Sequence, residues 1–207
     1  MQQGLLPLFP LQVVLFPGTL LPLHIFEERY KEMIGEAVRD HSEFGIVLAT
    51  ESGVADQGCT ATVDRVLQEY PDGRMDILTV GRRRFEVLLM NEERPFLRAA
   101  VDFFQDEESS PSADTTRVVI AAYNQLMAIE SQPPLDPSVA IEKQLSFRLA
   151  QPIAQLDFRQ KVLNARTESA RINLLADFLP SYVAKRKYDA RLKEVAPSNG
   201  HGHLRHE

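Results

Sequence analysis

The chain changes its repeat once, and that change limits what it can fold into. Residues 5–105 break into short apolar runs divided by proline and glycine, whereas residues 114–195 carry apolar side chains three and four positions apart. A repeat of two belongs to strands and one of 3.6 to helices. Between the two stretches lies Gln105 to Ala113 (QDEESSPSA), acidic and rich in serine, with the composition of a linker. The expected class is therefore α+β, with strands and helices segregated along the chain. The boundaries read as a β subdomain over 1–108, a helical subdomain over 109–195 and a disordered tail over 196–207.

In the first half, Leu5 to Phe9 and Leu20 to Ile25 read as short strands around a Pro17-Gly18 turn. Phe26 to Arg39 places Phe26, Tyr30, Met33, Ile34 and Val38 at helical spacing, which predicts the only long helix of this half. Phe44 to Thr50 reads as a buried strand and Glu51 to Gly58 as a polar loop. The strongest local signal is Tyr70-Pro71-Asp72-Gly73 between the β-prone runs Cys59 to Glu69 and Arg74 to Met90, which predicts a hairpin. Phe96 to Phe104 supplies a last strand.

The second half predicts about four helices. Asp114 or Thr115 is positioned to cap the first, with Val118, Ala121, Ala122, Leu126 and Ile129 inward and Pro133, Pro134 and Pro137 beyond its end. Ser138 is placed to cap a second helix through Ala150, and Asp157 a third through about Asn164. The last opens near Thr167, and Pro180 is expected to kink or divide it because proline removes a backbone donor.

Composition narrows the function. A formal charge of -6 argues against broad capture of nucleic-acid phosphates. With a single cysteine, Cys59, no intramolecular disulfide can form, so the reading is a reduced, cytoplasmic protein with a buried and inert thiol. Prolines at 7, 10, 17 and 22 interrupt the first apolar stretch, and neither a signal peptide nor a membrane anchor is expected.

No cofactor or catalytic group is expected. No glycine precedes a lysine, so a GxxxxGK[ST] phosphate loop cannot be drawn. His24, Glu27 and Glu28 lie close enough to suggest an acid–base cluster, but Arg29 offers an ion-pair partner and a helix start favours glutamate. His201, His203 and His206 lack a scaffold that would orient them on a metal. The candidate contact residues are Arg82, Arg83 and Arg84, the dense basic run of the β half. Strand alternation puts Arg82 and Arg84 with Glu86 and Arg83 with Phe85, so the triplet reads as divided, on a solvated strand edge.

Leu6 to Met33 (LPLFPLQVVLFPGTLLPLHIFEERYKEM) resembles the opening of the Lon protease N-terminal domain family: two apolar-proline strands, Pro17-Gly18, then Ile25-Phe26-Glu27 and Arg29-Tyr30. Asp72 to Val87 (DGRMDILTVGRRRFEV) is similar to that family's hairpin, and Leu145 to Leu179 to its helical bundle. The resemblance covers about residues 5–185. It implies a PUA-like β-barrel followed by a helical bundle, and binding of exposed polypeptide segments or a protein partner. The family's motor and its serine–lysine peptidase lie after this domain, so it implies no catalysis here. Pro111-Ser112-Ala113 is superficially similar to the peptidase's nucleophile segment, but Asp114 stands where glycine follows. Because PUA-like barrels also bind RNA, an RNA-binding module is the alternative.

Overall fold

Two 17-residue strands, β4 (Gly53–Glu69) and β5 (Met75–Asn91), form the spine of the sheet around the expected hairpin. Residues 4–136, 138–139 and 142–195 are described by the structure, a computed structural model. At the turn, the Gly73 amide donates to the Tyr70 carbonyl at 2.9 Å, the Tyr70 amide to Arg74 at 2.9 Å, and Gly73 has φ +80°. Pro71 fixes the first central residue at negative φ. The turn is thus a three-residue loop closed by a left-handed glycine rather than a two-residue mirror turn.

The remaining strands are β1 (Leu6–Leu11), β2 (Leu20–Ile25), β3 (Phe44–Thr50) and β6 (Arg98–Phe104). Their order is β2-β5-β4-β3-β1-β6, with β6 returning to pair β5. The second half of β5 thereby closes a barrel with β4, β3, β1 and β6, while its first half carries β2 on its open side from Met75 to Val80. Gly81 marks the switch. It exchanges backbone hydrogen bonds with Gly18 and Thr19, and a Cβ there would lie 2.2 Å from the Phe16 carbonyl oxygen, so only glycine fits. Residues 51–58 do not form the expected polar loop. A tight turn at Glu51–Ser52 leads directly into β4, which pairs Gly53 with Thr50.

The helix α1 (Glu28–Asp40) presents Tyr30, Met33, Ile34 and Ala37 to the core. It starts two residues later than expected, and Phe26 stands outside it and 60% exposed, not on its apolar face. The helical half holds α2 (Ala113–Ile129), α3 (Leu145–Ala150), α4 (Leu156–Asn164) and α5 (Glu168–Val195). Ser112, not Asp114 or Thr115, is the N-cap of α2, and its carbonyl accepts from Thr116. The buried face of α2 carries Val119, Ile120, Tyr123, Leu126 and Met127, and Val118 stands in solvent. Ser138 and Val139 lie in a 3-10 turn, with the Ser138 amide donating to the Asp136 carboxylate, and α3 begins only at Leu145, after Gln144, which has φ +58°. Pro180 does not divide α5, whose Leu175, Leu179, Tyr182 and Val183 are all buried on both sides of it. Pro137 and residues 196–207, with the expected disordered tail and its histidines, lie outside the described residues.

The main core runs unbroken from Phe9, Ile46 and Ile77 of the sheet into Leu126, Leu149, Leu163 and Leu175 of the helices. A second, smaller core of Leu6, Leu8, Val47, Phe85 and Ala99 fills the far side of the barrel.

Candidate functional site

The arginine triplet is split by a bulge. Cys59 of β4 faces Arg84 and Ala61 faces Gly81, so Thr60 alone opposes both Arg82 and Arg83. The Thr60 hydroxyl accepts from the Arg83 amide at 3.0 Å and donates to the Arg83 carbonyl. Alternation is thereby shifted: Arg82 and Arg83 are both exposed, and Arg84 is 2% exposed. β5 is not a sheet edge, since β4 lies on one side and β2 then β6 on the other.

Arg84 is spent on the contact between barrel and helices. Its Nη1 donates to the carbonyls of Leu163 at 2.8 Å and Ala165 at 2.6 Å, and Nη2 meets Asp106. Arg171 of α5, fully buried, donates to the same carboxylate, to Ser146 Oγ at 2.7 Å and to Glu168 at 2.7 Å. The Phe147 ring lies under both guanidiniums. Burial lowers the Arg84 pKa to about 10, so it stays charged at neutral pH. Burial also works against the Asp106 carboxylate, but the hydrogen bond and charge of Arg171 and the charge of Arg84 outweigh it and hold its pKa below the ordinary value. The linker segment therefore anchors the two halves to each other. Asp106 and Glu168 carried no sequence signal, but Arg171 did: it stands four residues before Leu175 on the apolar row of α5, where a charged residue must be paired.

Arg83 reaches the opposite way, to Glu43 at 3.0 Å, with its guanidinium 3.9 Å from the Phe103 ring centroid. Arg82 donates from Nε to Thr62 Oγ1 at 2.9 Å, and among the described residues it pairs with no carboxylate. The three side chains do not converge.

What the fold does expose is apolar. Residues paired across antiparallel strands share a face, and β2 alternates Leu20, Pro22 and His24 outward with Leu21, Leu23 and Ile25 inward. Leu20 and Pro22 stand opposite Val80 and Leu78 of β5, all on the outer face. Leu20 is 55% exposed, and Leu67 of β4, at another bulge, equally so. At the end of this face His24 Nδ1 meets Asp76 at 2.6 Å, and the Tyr70 hydroxyl donates to the other Asp76 oxygen at 2.7 Å. These two hydrogen bonds hold the Asp76 pKa low. The Phe26 ring stacks on His24 with centroids 5.9 Å apart. Glu27 pairs with Arg29 and Glu28 with Lys31, so the three residues first read as a possible acid–base cluster are not brought together. Among the described residues no cluster of three metal-ligating side chains exists, and no helix is long and apolar enough to cross a membrane.

The sheet order, the closed barrel and the helices that follow it coincide with a known family. Residues 5–187 match the model of the ATP-dependent protease La (LON) substrate-binding domain. The chain belongs to the Lon substrate-binding domain family. Curated relatives of this Lon domain include a Lon protease of Parabacteroides distasonis, 30% identical over 144 residues, which are 63% of this chain and 17% of that protein. Lon protease 2 of Myxococcus xanthus is 28% identical over 191 residues, 84% of this chain and 23% of the relative. The chain thus spans about a fifth of the length of these relatives. In fold, the Lon N-terminal domain protein from Xanthomonas campestris superposes with a TM-score of 0.69 at 22% identity, over 85% of this chain and 99% of that one. The N-terminal domain of the Mycobacterium avium complex Lon protease does so at 0.65 and 14%, over 86% and 100%.

Proposed function

We propose that this Lon domain is a non-catalytic module that binds exposed segments of polypeptides, operating in the cytoplasm. The observation that carries the reading is the outward apolar face of β2 and β5, where Leu20, Pro22, Leu78 and Val80 lie together, with Phe26 and Leu67 exposed nearby. Contiguous apolar surface rimmed by polar groups marks an interaction site. The family's name supports the same partner, since the substrate of a protease is a polypeptide. Arg82 and Arg83 serve as rim contacts for acidic residues of that partner. Arg84 serves the fold. Ser112 sits at the N-cap position of α2, and among the described residues its hydroxyl makes no hydrogen bond to a base that would activate it, which supports a chain without peptidase chemistry.

The test is binding of a permanently unfolded client, such as a reduced and alkylated globular protein, by the full chain and by a Leu20→Ser/Phe26→Ser variant. Each lost anchor removes about 1.5–3 kcal/mol of burial, so the variant binds at least about tenfold more weakly. Wild-type affinity survives moderate salt because apolar burial is not screened. Neither ATP nor casein is hydrolysed. A chain that ignores the client and instead binds single-stranded RNA with steeply salt-dependent affinity overturns the reading in favour of the RNA-binding alternative.

A further inference from the structure

β4 is longer than its neighbour on one side, and the difference leaves a groove. β3 follows β4 only as far as the Phe44–Ala61 pair. From Thr62 onward β4 is paired with β5 alone, and among the described residues no backbone hydrogen bond reaches Thr62 to Val66 from the other side. The C-terminal end of α1 runs beside this free edge, and between them lies a cavity of about 390 Å³. Its floor is apolar, made by Ala37 and Val38 of α1 and by Val63 and Val66 of β4. Its rim is basic: Arg82, Arg65 and His41 line it, against one carboxylate, Asp64.

We propose that this groove takes the carboxy-terminal end of an extended polypeptide. The inference rests on the polypeptide-binding reading above and assigns that reading a second subsite beside the apolar face of β2 and β5, where Thr62 and Arg65 stand opposite Val80 and Leu78. Three features select this ligand. A free strand edge offers alternating donors and acceptors, which another extended backbone satisfies by adding as a strand in line with β3. The cavity lies near the lower end of the range for ligand pockets, so it holds one or two residues rather than a long segment. The charge is complementary to an anion, and Arg82 is the group with an unspent fork: its single partner among the described residues is the neutral hydroxyl of Thr62, whereas Arg83 is committed to Glu43 and Arg84 is buried. Among the described residues Arg65 is held only by its exposed neighbour Asp64 at 3.3 Å. A chain end is the group that presents a carboxylate and an apolar side chain on one Cα, so a single residue meets both the rim and the floor. The carbonyl end of α1 disfavours an anion, which places the carboxylate on the Arg82 side and the apolar side chain over Val38 and Val63.

The experiment uses the full chain and a fluorescein-labelled hexapeptide, Gly-Ser-Gly-Ser-Val-Leu, with a free terminal carboxylate, read by anisotropy against its C-terminally amidated twin. Octanoate serves as a competitor that has the charge and the apolar tail but no backbone. The acid peptide is expected to bind about tenfold or more tightly than the amide. Arg82→Gln is expected to erase that difference while leaving affinity for the amide unchanged. Leu20→Ser/Phe26→Ser is expected to weaken the client and spare the acid peptide. Equal affinity for acid and amide, an Arg82→Gln variant that keeps the preference, or displacement by octanoate as effective as by unlabelled acid peptide each overturns the assignment. In each case client binding by the wild type still decides the broader reading separately.

Discussion

Replacing Asp106 by asparagine keeps the shape of the side chain and removes the one negative charge that Arg84 and Arg171 share. Both guanidiniums are essentially buried, at 2% and 0% exposure, so neither can recover its lost partner from water. Breaking a buried pair from one side costs about 3–5 kcal/mol. Asp106 itself keeps 20% of its side chain exposed and Glu168 still holds Arg171, which brings the expected loss to the lower end, about 3 kcal/mol. For a chain of this size that lowers Tm by about 6–12 °C. The folded-state pKa of Asp106 lies below its ordinary value. The carboxylate therefore contributes fully above the unfolded-state pKa of about 4, and the contribution is lost as pH falls through the lower folded-state value. Thermal melts of wild type and Asp106→Asn from pH 7 down to pH 3 check both parts. The gap is largest at neutral pH and shrinks below about pH 4. A Tm within about 2 °C of wild type at pH 7, or a gap that does not change with pH, refutes the account of Asp106 as the joint between barrel and helices.

Gly73→Val forces a β-branched residue to φ +80° and costs about 1–3 kcal/mol, read as a lower urea midpoint with unchanged slope. Gly81→Ala places a methyl 2.2 Å from the Phe16 carbonyl oxygen and costs about 2 kcal/mol or more in the same assay. The buried Cys59 thiol, its pKa pushed up to about 12 chiefly by burial, stays unreactive toward an aromatic disulfide reagent at pH 8 in the native protein. In urea one thiol per chain reacts.

Short apolar runs bounded by turn residues were legible residue by residue. Phe44 to Thr50 and Leu20 to Ile25 form the strands read from their apolar patterns, and the hairpin at Asp72-Gly73 lies where the turn residues put it. Helix starts were legible only in part: α5 opens at Glu168, with the Thr167 hydroxyl accepting the Ala170 amide, where the sequence put it, whereas serine, threonine and aspartate crowd the beginning of α2 and the sequence does not choose Ser112 among them. The division proposed between residues 108 and 109 follows the change of secondary structure. The main core and the Asp106 ion cluster run across it, and no repeat in the sequence records that contact. The exposed face was illegible for a related reason. Leu20 and Phe26 carry the same apolar signature as their buried neighbours, and only the cross-strand register shows that nothing packs over Leu20.

The triplet Arg82 to Arg84 shows how far one inserted residue reaches. Without the bulge opposite Thr60, strand alternation would keep Arg82 and Arg84 on one face, and an arginine aimed at the helices would bring the other with it. With it, Arg84 and Glu86 both face the helical half, where Glu86 pairs with Arg166 at 2.9 Å, while Arg82 is turned across Thr62 toward the open edge of β4. The register shift that builds the joint therefore also supplies the proposed groove with its cation. A substitution that removes the hydroxyl at Thr60 without loss of volume, Thr60→Val, leaves the Arg83 amide and carbonyl without that partner. It should disturb the two distant features together, lowering Tm through Arg84 and abolishing the acid-over-amide preference through Arg82. If one changes while the other is untouched, the bulge is not what couples them.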